Sequence, residues 1–175
     1  DGIDGYAERG ISEEHLANLH KQALGHAPTL ILDDAAELTA RLINERPDLL
    51  SGLKGVCEQT TTGVQRIQAM LRDGALAFPA YSVNHTPMKH EFDNIHGTGE
   101  SALTNLMLTT NLLLAGKQVV VAGYGDCGVG VAHKARALGG QVTITEIEPR
   151  CALRAHMNGF AVLPMSEAAA LGDFF

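Results

Sequence analysis

Aromatic residues are scarce in this sequence: Phe, Tyr and Trp make up 5% of the 175 residues, and tryptophan is absent. Basic residues are also few, with 13 Lys and Arg against 20 Asp and Glu, so the formal net charge is −7. Without a cluster of positive charge, the sequence offers no electrostatic surface for nucleic acid. No apolar run approaches the roughly 18 residues that span a membrane, and the first residues lack the features of a signal peptide. We therefore expect a globular cytoplasmic protein that binds neither nucleic acid nor membrane.

Cysteine is equally sparse, with three residues that are odd in number and widely spaced: Cys57, Cys127 and Cys151. This spacing indicates neither a disulfide framework nor a zinc site, and it is typical of a reducing compartment. The most closely grouped histidines also fit no standard metal spacing: His85, His90 and His96. We therefore expect no bound metal ion.

The two ends of the sequence are unusual. The first residue, Asp1, is not preceded by a methionine, and the last residue, Phe175, falls where another strand is predicted to begin. We interpret the sequence as a piece of a longer polypeptide.

Strand and helix patterns alternate along the sequence. Short apolar runs predict strands at residues 29–33, 55–58, 78–83, 117–122 and 141–145. Amphipathic or leucine-rich stretches predict helices over residues 12–24, 35–44, 60–72, 101–114 and 127–138. This alternation predicts the α/β class with doubly wound parallel sheets. A change of character near residues 97–99 divides the sequence into two predicted units, residues 1–96 and 97–175.

The strongest motif is G-x-G-x-x-G, formed by Gly123, Gly125 and Gly128 between a predicted strand and a predicted helix. In dinucleotide-binding folds, the first glycine allows a tight turn, the second lets the backbone approach a pyrophosphate, and the third permits close helix packing. Glu146 follows the next strand, where an acid binds the adenosine ribose and repels the 2′-phosphate of NADP. The stretch predicts an NAD site, and the alternative is a glycine-rich turn without a ligand.

Polar clusters follow three of the predicted strands, at the carboxyl ends where open α/β sheets bind ligands. They cover residues 33–34, 58–62 and 84–94. Each cluster also has a purely structural interpretation. Asp34 or Thr60 could cap a helix, and Lys89 could be one solvated lysine among several.

Taken together, these segments resemble the S-adenosylhomocysteine hydrolase (adenosylhomocysteinase) family. The resemblance rests on ILDDAAELT, GLKGVCEQTTTGVQRI, FPAYSVNHTPMKHEFDN, GESALTNLMLTTNLLLAGKQVVVAGYGDCGVG and TITEIEP, in this order. It implies a partial substrate-binding domain over residues 1–96 and a partial Rossmann NAD-binding domain over residues 97–175, with the active site between them. It also implies a homotetramer and a place in the methionine cycle.

The resemblance implies reversible hydrolysis of S-adenosyl-L-homocysteine to adenosine and L-homocysteine, with tightly bound NAD. The cofactor oxidises the 3′-hydroxyl of the substrate ribose, and the ketone acidifies the C4′ proton, so homocysteine can leave by elimination. Water then adds, and the hydride is returned. Catalytic histidines of the family lie outside this sequence, so we expect the 175-residue chain alone to be inactive.

The family's functional positions can be carried over residue by residue. The implied catalytic residues are Lys89, Asp93 and Asp34; together with Gln59, they also make up the implied substrate-binding set. The implied cofactor-binding residues are Thr60, Thr61, Thr62, Asn94, Gly123, Gly125, Asp126, Cys127, Gly128, Val129, Gly130, Glu146 and Cys151.

Several positions depart from the family pattern. Gln59 stands where the family has Glu, and an amide can hydrogen-bond hydroxyls but cannot accept a proton or carry charge. The other departures are Ala35 and Ala36 for two glycines, Gly99 for Arg, Val129 for a basic residue and Cys151 for Asn. Gln59 leaves two alternatives open. One is an NAD-assisted elimination or dehydration on another nucleoside, and the other is a catalytically silent homologue that binds NAD or a nucleoside.

Overall fold

The computed structural model describes residues 2–175, which fold as two separate α/β units. The first unit ends at Thr86, and the second begins at Pro87. This division precedes the boundary expected after residue 96, because the helix at Lys89–Gly97 packs on helices of the second unit.

The first unit contains a three-stranded parallel sheet in the order β1-β2-β3. Its elements are α1 (Glu13–Leu24), β1 (Leu30–Asp33), α2 (Glu37–Glu45), a 3₁₀ helix (Pro47–Gly52), β2 (Gly55–Glu58), α3 (Thr61–Arg72) and β3 (Ala80–Ser82). Asp33, Glu58 and Ser82 are register partners at the carboxyl ends of the strands. The polar residues that follow these strands therefore meet at one edge of the sheet.

The helices of the first unit begin in two different ways. At α3, the Thr60 hydroxyl accepts a hydrogen bond from the Gly63 N–H, which is the usual arrangement of an N-cap threonine. Among residues 2–175, no side chain caps α2 in this manner. That helix begins at Glu37, later than predicted, because Ala35 and Ala36 adopt left-handed conformations with φ of 57° and 56°.

The second unit contains another three-stranded parallel sheet, in the order β4-β5-β6. It comprises a π-helix (Lys89–Gly97), α4 (Thr98–Thr110), β4 (Gln118–Ala122), α5 (Asp126–Ala137), β5 (Gln141–Thr145), α6 (Pro149–Met157), β6 (Ala161–Val162) and α7 (Met165–Ala168). This order is that of one half of a doubly wound sheet. Near the end of the chain, Phe174 forms a parallel bridge with Val119 of β4.

The predicted α/β class and the five predicted strands are confirmed, and β2 and β5 have the predicted bounds. The helix predicted over residues 101–114 is displaced, because α4 starts at Thr98 and ends at Thr110. Asn111 ends it in a left-handed conformation with φ of 55°, as C-terminal caps commonly do. The π-helix, α6, β6 and α7 have no counterpart in the sequence predictions.

Each unit has its own apolar core. In the first unit, the core includes the buried side chains of Leu42 and Val56. In the second unit, it includes those of Val119 and Ile144. Within residues 2–175, no helix combines the length and the apolar character that a membrane crossing requires.

Candidate functional site

The glycine turn between β4 and α5 has the geometry predicted for its three glycines. Gly123 has φ of 102°, a conformation that favours glycine. A Cβ at Gly128 would lie 2.1 Å from the carbonyl oxygen of Gly123, so only glycine allows α5 to pack this closely against the turn. At Gly125 a Cβ would meet no atom of the described residues within 4 Å. The space beside Gly125 is therefore open to a ligand at the N-terminus of α5, where anions bind.

A second pair of glycines brings the π-helix and α4 into contact with α5. A Cβ on Gly130 would lie 1.8 Å from the carbonyl oxygen of Ile95, and one on Gly99 would lie 2.6 Å from the Gly130 carbonyl. Gly99 departs from the family pattern, and here its lack of a side chain permits this backbone contact. The glycine turn is thus fixed directly against the π-helix.

Glu146 lies at the carboxyl end of β5 and faces the glycine turn. Its carboxylate accepts hydrogen bonds from the backbone N–H groups of Tyr124, Ile147 and Glu148 at 2.6, 2.7 and 2.9 Å. The bonds from Glu148 and Tyr124 are the main reason that the pKa of the Glu146 carboxyl lies below its ordinary value, and Arg154 lowers it further. The carboxylate is therefore ionised and held in place, as an acceptor for ribose hydroxyls must be.

Tyr124, inside the glycine turn, is a residue that the sequence analysis did not single out. Its side chain is fully buried, and its hydroxyl accepts a hydrogen bond from Asn158 at 2.9 Å. The Arg154 guanidinium donates to the Tyr124 carbonyl at 2.5 Å. These contacts join the turn to α6 across 30 and 34 residues of sequence, and no local pattern reveals such pairs.

The π-helix places three of the predicted site residues on one side. Lys89 Nζ donates to Asn94 Oδ1 at 2.6 Å and lies 3.2 Å from Asp93 Oδ2. The Lys89 side chain is only 18% exposed, whereas that of Asp93 is 65% exposed. π-Helical turns are rare and occur frequently at functional sites. The arrangement presents an ammonium group and a carboxylate that can bind hydroxyls and exchange protons.

The remaining predicted cofactor residues of the second unit have different surroundings. Asp126, the first residue of α5, lies 3.6 Å from the His90 ring of the π-helix. Cys127 is exposed beside it. Val129 and Cys151 are partly buried and pack against the core of the second unit.

At the sheet edge of the first unit, two carboxylates are buried and hydrogen-bonded. Asp33 accepts from the N–H and the hydroxyl of Thr39 at 2.8 and 2.6 Å. Glu58 accepts from the N–H and the hydroxyl of Thr60 at 2.8 and 2.7 Å, and from the Ala36 N–H at 2.9 Å. Buried carboxylates require such partners. Neither residue was predicted to have a site role.

Next to these buried carboxylates, the structure brings together Asp34 and Gln59, two of the predicted substrate residues. The Gln59 amide donates to Asp34 Oδ2 at 3.0 Å, and both side chains are exposed. The pair leaves the Gln59 carbonyl and the other Asp34 oxygen as hydrogen-bond acceptors.

The three threonines of the predicted cofactor set begin α3. The Thr61 hydroxyl accepts a hydrogen bond from the buried Asn84 side chain at 3.0 Å. Thr61 and Thr62 are exposed, whereas Thr60 is half-buried. The predicted residues of the first unit thus share one edge of its sheet.

The fold and the glycine turn define the class of the second unit: it is one half of a Rossmann-type nucleotide-binding domain. The fold is also that of a dipicolinate synthase from Bacillus halodurans, with a TM-score of 0.50 and 21% sequence identity. That likeness covers 70% of this chain and 42% of the synthase chain.

The particular family follows from sequence comparison. Residues 94–175 match the family described as S-adenosyl-L-homocysteine hydrolase, NAD binding domain. Over 175 residues, the chain is 53% identical to the adenosylhomocysteinase of Halobacterium salinarum, which covers all of this chain and 41% of the relative. It is 50% identical over 175 residues to the S-inosyl-L-homocysteine hydrolase of Methanocaldococcus jannaschii, which covers 99% of this chain and 42% of the relative.

These matches confirm the resemblance to the S-adenosylhomocysteine hydrolase family, and they assign residues 94–175 to its NAD-binding domain. The cofactor predicted from the glycine turn is the one that this domain is described as binding. The chain spans about two fifths of the length of the curated relatives, since it covers 41% and 42% of them.

Proposed function

We propose that this chain is part of an enzyme that reversibly hydrolyses S-adenosyl-L-homocysteine to adenosine and L-homocysteine with tightly bound NAD. The observation that carries the proposal is 53% identity to an adenosylhomocysteinase over the whole chain. The polar edge of the first sheet and the π-helix with Lys89 support it, because they offer the hydroxyl-binding and proton-exchanging groups that the reaction requires.

The residues of the second unit fit NAD. The open space at Gly125 admits a pyrophosphate next to the N-terminus of α5. The ionised carboxylate of Glu146 suits the adenosine ribose. In this proposal, the glycine turn and Glu146 hold the adenosine half, and Asn94 with the threonines of α3 binds the nicotinamide half.

When bound, NAD supplies a reversible oxidation at the 3′-hydroxyl of the substrate ribose, which acidifies the C4′ proton. Lys89 and Asp93 bind the ribose hydroxyls and assist proton transfer at O3′ and C4′. Their positions 3.2 Å apart allow both groups to act on one ribose. Asp34 and Gln59 accept hydrogen bonds from the substrate at the edge of the first sheet. Homocysteine then leaves by elimination, and water adds at the same carbon.

A second candidate is hydrolysis of S-inosyl-L-homocysteine by the same steps. It is favoured by the relative of that name, which is 50% identical to this chain, and by Gln59, which departs from the family pattern. Release of free thiol from each of the two substrates, measured with the full-length protein, distinguishes the candidates. The higher kcat/KM identifies the natural nucleoside.

The proposal is tested by replacing Lys89 with alanine in the full-length protein. Lys89→Ala should abolish turnover and leave NAD bound, because the cofactor is held mainly by the glycine turn and Glu146. The control is Lys21→Ala in α1, which removes a lysine paired with Glu45 at the surface. Near-normal thiol release by Lys89→Ala would refute the role proposed for Lys89.

Assembly and location are part of the proposal at a finer level. The family resemblance favours a cytoplasmic homotetramer, and sedimentation of the full-length protein tests the assembly. A monomer that retains full activity would contradict it.

A further inference from the structure

We propose that Glu58 and Thr60 form a buried clasp that joins the loop of Asp34 to the loop of Gln59. The clasp is defined here as the Glu58 carboxylate together with the Thr60 hydroxyl. In this view the Thr60 hydroxyl positions the substrate residues and does not contact the cofactor. The roles of Asp34 and Gln59 rest on the proposed function, whereas the clasp itself does not.

Glu58 is the buried half of the clasp. Its side chain is 1% exposed, although it lies next to the exposed substrate residue Gln59. One carboxylate oxygen accepts the N–H and the hydroxyl of Thr60, and the other accepts the N–H of Ala36. A Cβ at Gly63 would lie 2.2 Å from the carboxyl carbon of Glu58. The first turn of α3 therefore needs glycine at this position to leave room for the carboxylate.

The Thr60 hydroxyl is saturated by bonds within the protein. It donates its proton to Glu58 Oε1 at 2.7 Å, and it accepts from the N–H groups of Ala35 and Gly63, each at 3.0 Å. A hydroxyl group has one proton to donate and two lone pairs to accept with. No hydrogen-bonding capacity remains for a nicotinamide amide or a ribose.

The loop of Asp34 depends on the clasp for its backbone conformation. Ala35 and Ala36 both have positive φ, and their N–H groups donate to the Thr60 hydroxyl and to the Glu58 carboxylate, respectively. Residues other than glycine rarely adopt this conformation without compensating bonds. Loss of the Thr60 hydroxyl would leave the Ala35 N–H without its acceptor and release the loop.

The consequence concerns the distance between the substrate residues. Asp34 precedes the two alanines, and Gln59 lies between the two members of the clasp, so the clasp sets the 3.0 Å contact between their side chains. Thr60 is therefore a positioning residue for the substrate, and contact with the cofactor is left to its neighbours in α3.

The kinetic test uses Thr60→Val, which keeps the shape of the side chain and removes the hydroxyl. In the full-length protein, we expect the KM for the nucleoside substrate to rise about tenfold, the size of one or two lost hydrogen bonds, with NAD affinity unchanged. Thr60→Ser should restore the wild-type KM. The matched control is Thr39→Val, which removes the buried hydroxyl bonded to Asp33 and should change neither quantity. A tenfold loss of NAD affinity in Thr60→Val, or an unchanged KM, would overturn the proposal.

A second measurement tests the clasp whether or not the proposed function holds. Hydrogen-exchange mass spectrometry of the wild-type protein should show protected amides at Ala35 and Ala36. Exchange there should be faster in Thr60→Val and unchanged in Thr39→Val and Thr60→Ser. Rapid exchange of both amides in the wild type would refute the clasp even if the enzyme proves to be a hydrolase. Protected amides in a protein without hydrolase activity would refute only the proposed function.

Discussion

At the scale of single residues, Glu146 determines the choice of cofactor. Its ionised carboxylate lies at the end of β5, where the 2′-phosphate of NADP would approach, and like charges repel. We predict that the full-length protein binds NAD at least about tenfold more tightly than NADP, since one desolvated repulsion exceeds about 1.4 kcal/mol. Calorimetric titration with both cofactors measures the difference.

The variant Glu146→Gln tests the cause of this preference. It removes the negative charge and keeps the size of the side chain, so NAD should bind less tightly and the discrimination against NADP should decrease. Equal affinities of the wild type for NAD and NADP, or an unchanged ratio in Glu146→Gln, would contradict the assignment.

Ala35 and Ala36 are two further residues whose effect can be measured, through the stability of the fold. Both occupy the left-handed region, where alanine is disfavoured by about 1 kcal/mol or more relative to glycine. Ala35→Gly and Ala36→Gly should therefore each raise the free energy of unfolding by about 1 kcal/mol, measured by urea denaturation.

The control for these substitutions is Ala40→Gly, within α2. Glycine inside a helix costs about 1 kcal/mol relative to alanine, so this variant should be less stable than the wild type. Destabilisation by all three glycines would show that the loop does not need the left-handed conformation.

At the scale of secondary-structure elements, sequence reasoning succeeded where a local pattern was sufficient. The strands β2 and β5 and the glycine turn follow from apolar runs and glycine spacing, and they have the predicted bounds. The start of α4 could not be predicted, because the π-helix leads directly into it without a capping residue. The roles of Glu58 and Arg154 depend on hydrogen bonds to residues distant in sequence, which one sequence does not reveal.

The glycines of the turn should separate stability from cofactor binding. Gly128→Ala places a methyl group against the Gly123 carbonyl, so it should destabilise the fold by about 2 kcal/mol. Gly125 has φ of −73° and ψ of −169°, which alanine can adopt, and its Cβ would meet no atom of residues 2–175 within 4 Å. Gly125→Ala should therefore change stability by less than about 0.5 kcal/mol.

The two variants differ in the opposite sense in their effect on NAD. The methyl group of Gly125→Ala occupies the space proposed for the pyrophosphate, so NAD affinity should fall about tenfold or more. Thermal unfolding and calorimetry on the same samples check both quantities. An NAD affinity equal to that of the wild type in Gly125→Ala would place the pyrophosphate elsewhere.

At the scale of the whole molecule, the chain contains groups proposed for both substrate and cofactor, and it covers 41% of a relative with the proposed activity. The first unit contributes Asp34 and Gln59 at a sheet edge, and the second contributes Lys89 and the glycine turn. The central claim is that these groups serve the oxidation of a ribose by NAD. Turnover requires the full-length protein, but the first chemical step can be observed separately from elimination.

The most direct test of this claim is the near-ultraviolet absorbance of the NAD-loaded, full-length protein before and after adenosine is added. Adenosine has the 3′-hydroxyl to be oxidised and no homocysteine to lose, so we predict that the bound NAD becomes reduced and the absorbance rises. The 3′-deoxy analogue should cause no rise, because the reacting hydroxyl is absent. Reduction by both compounds would place the oxidation at another position of the sugar. No reduction by adenosine in a protein shown to contain NAD would contradict the account and favour a homologue that only binds its ligands.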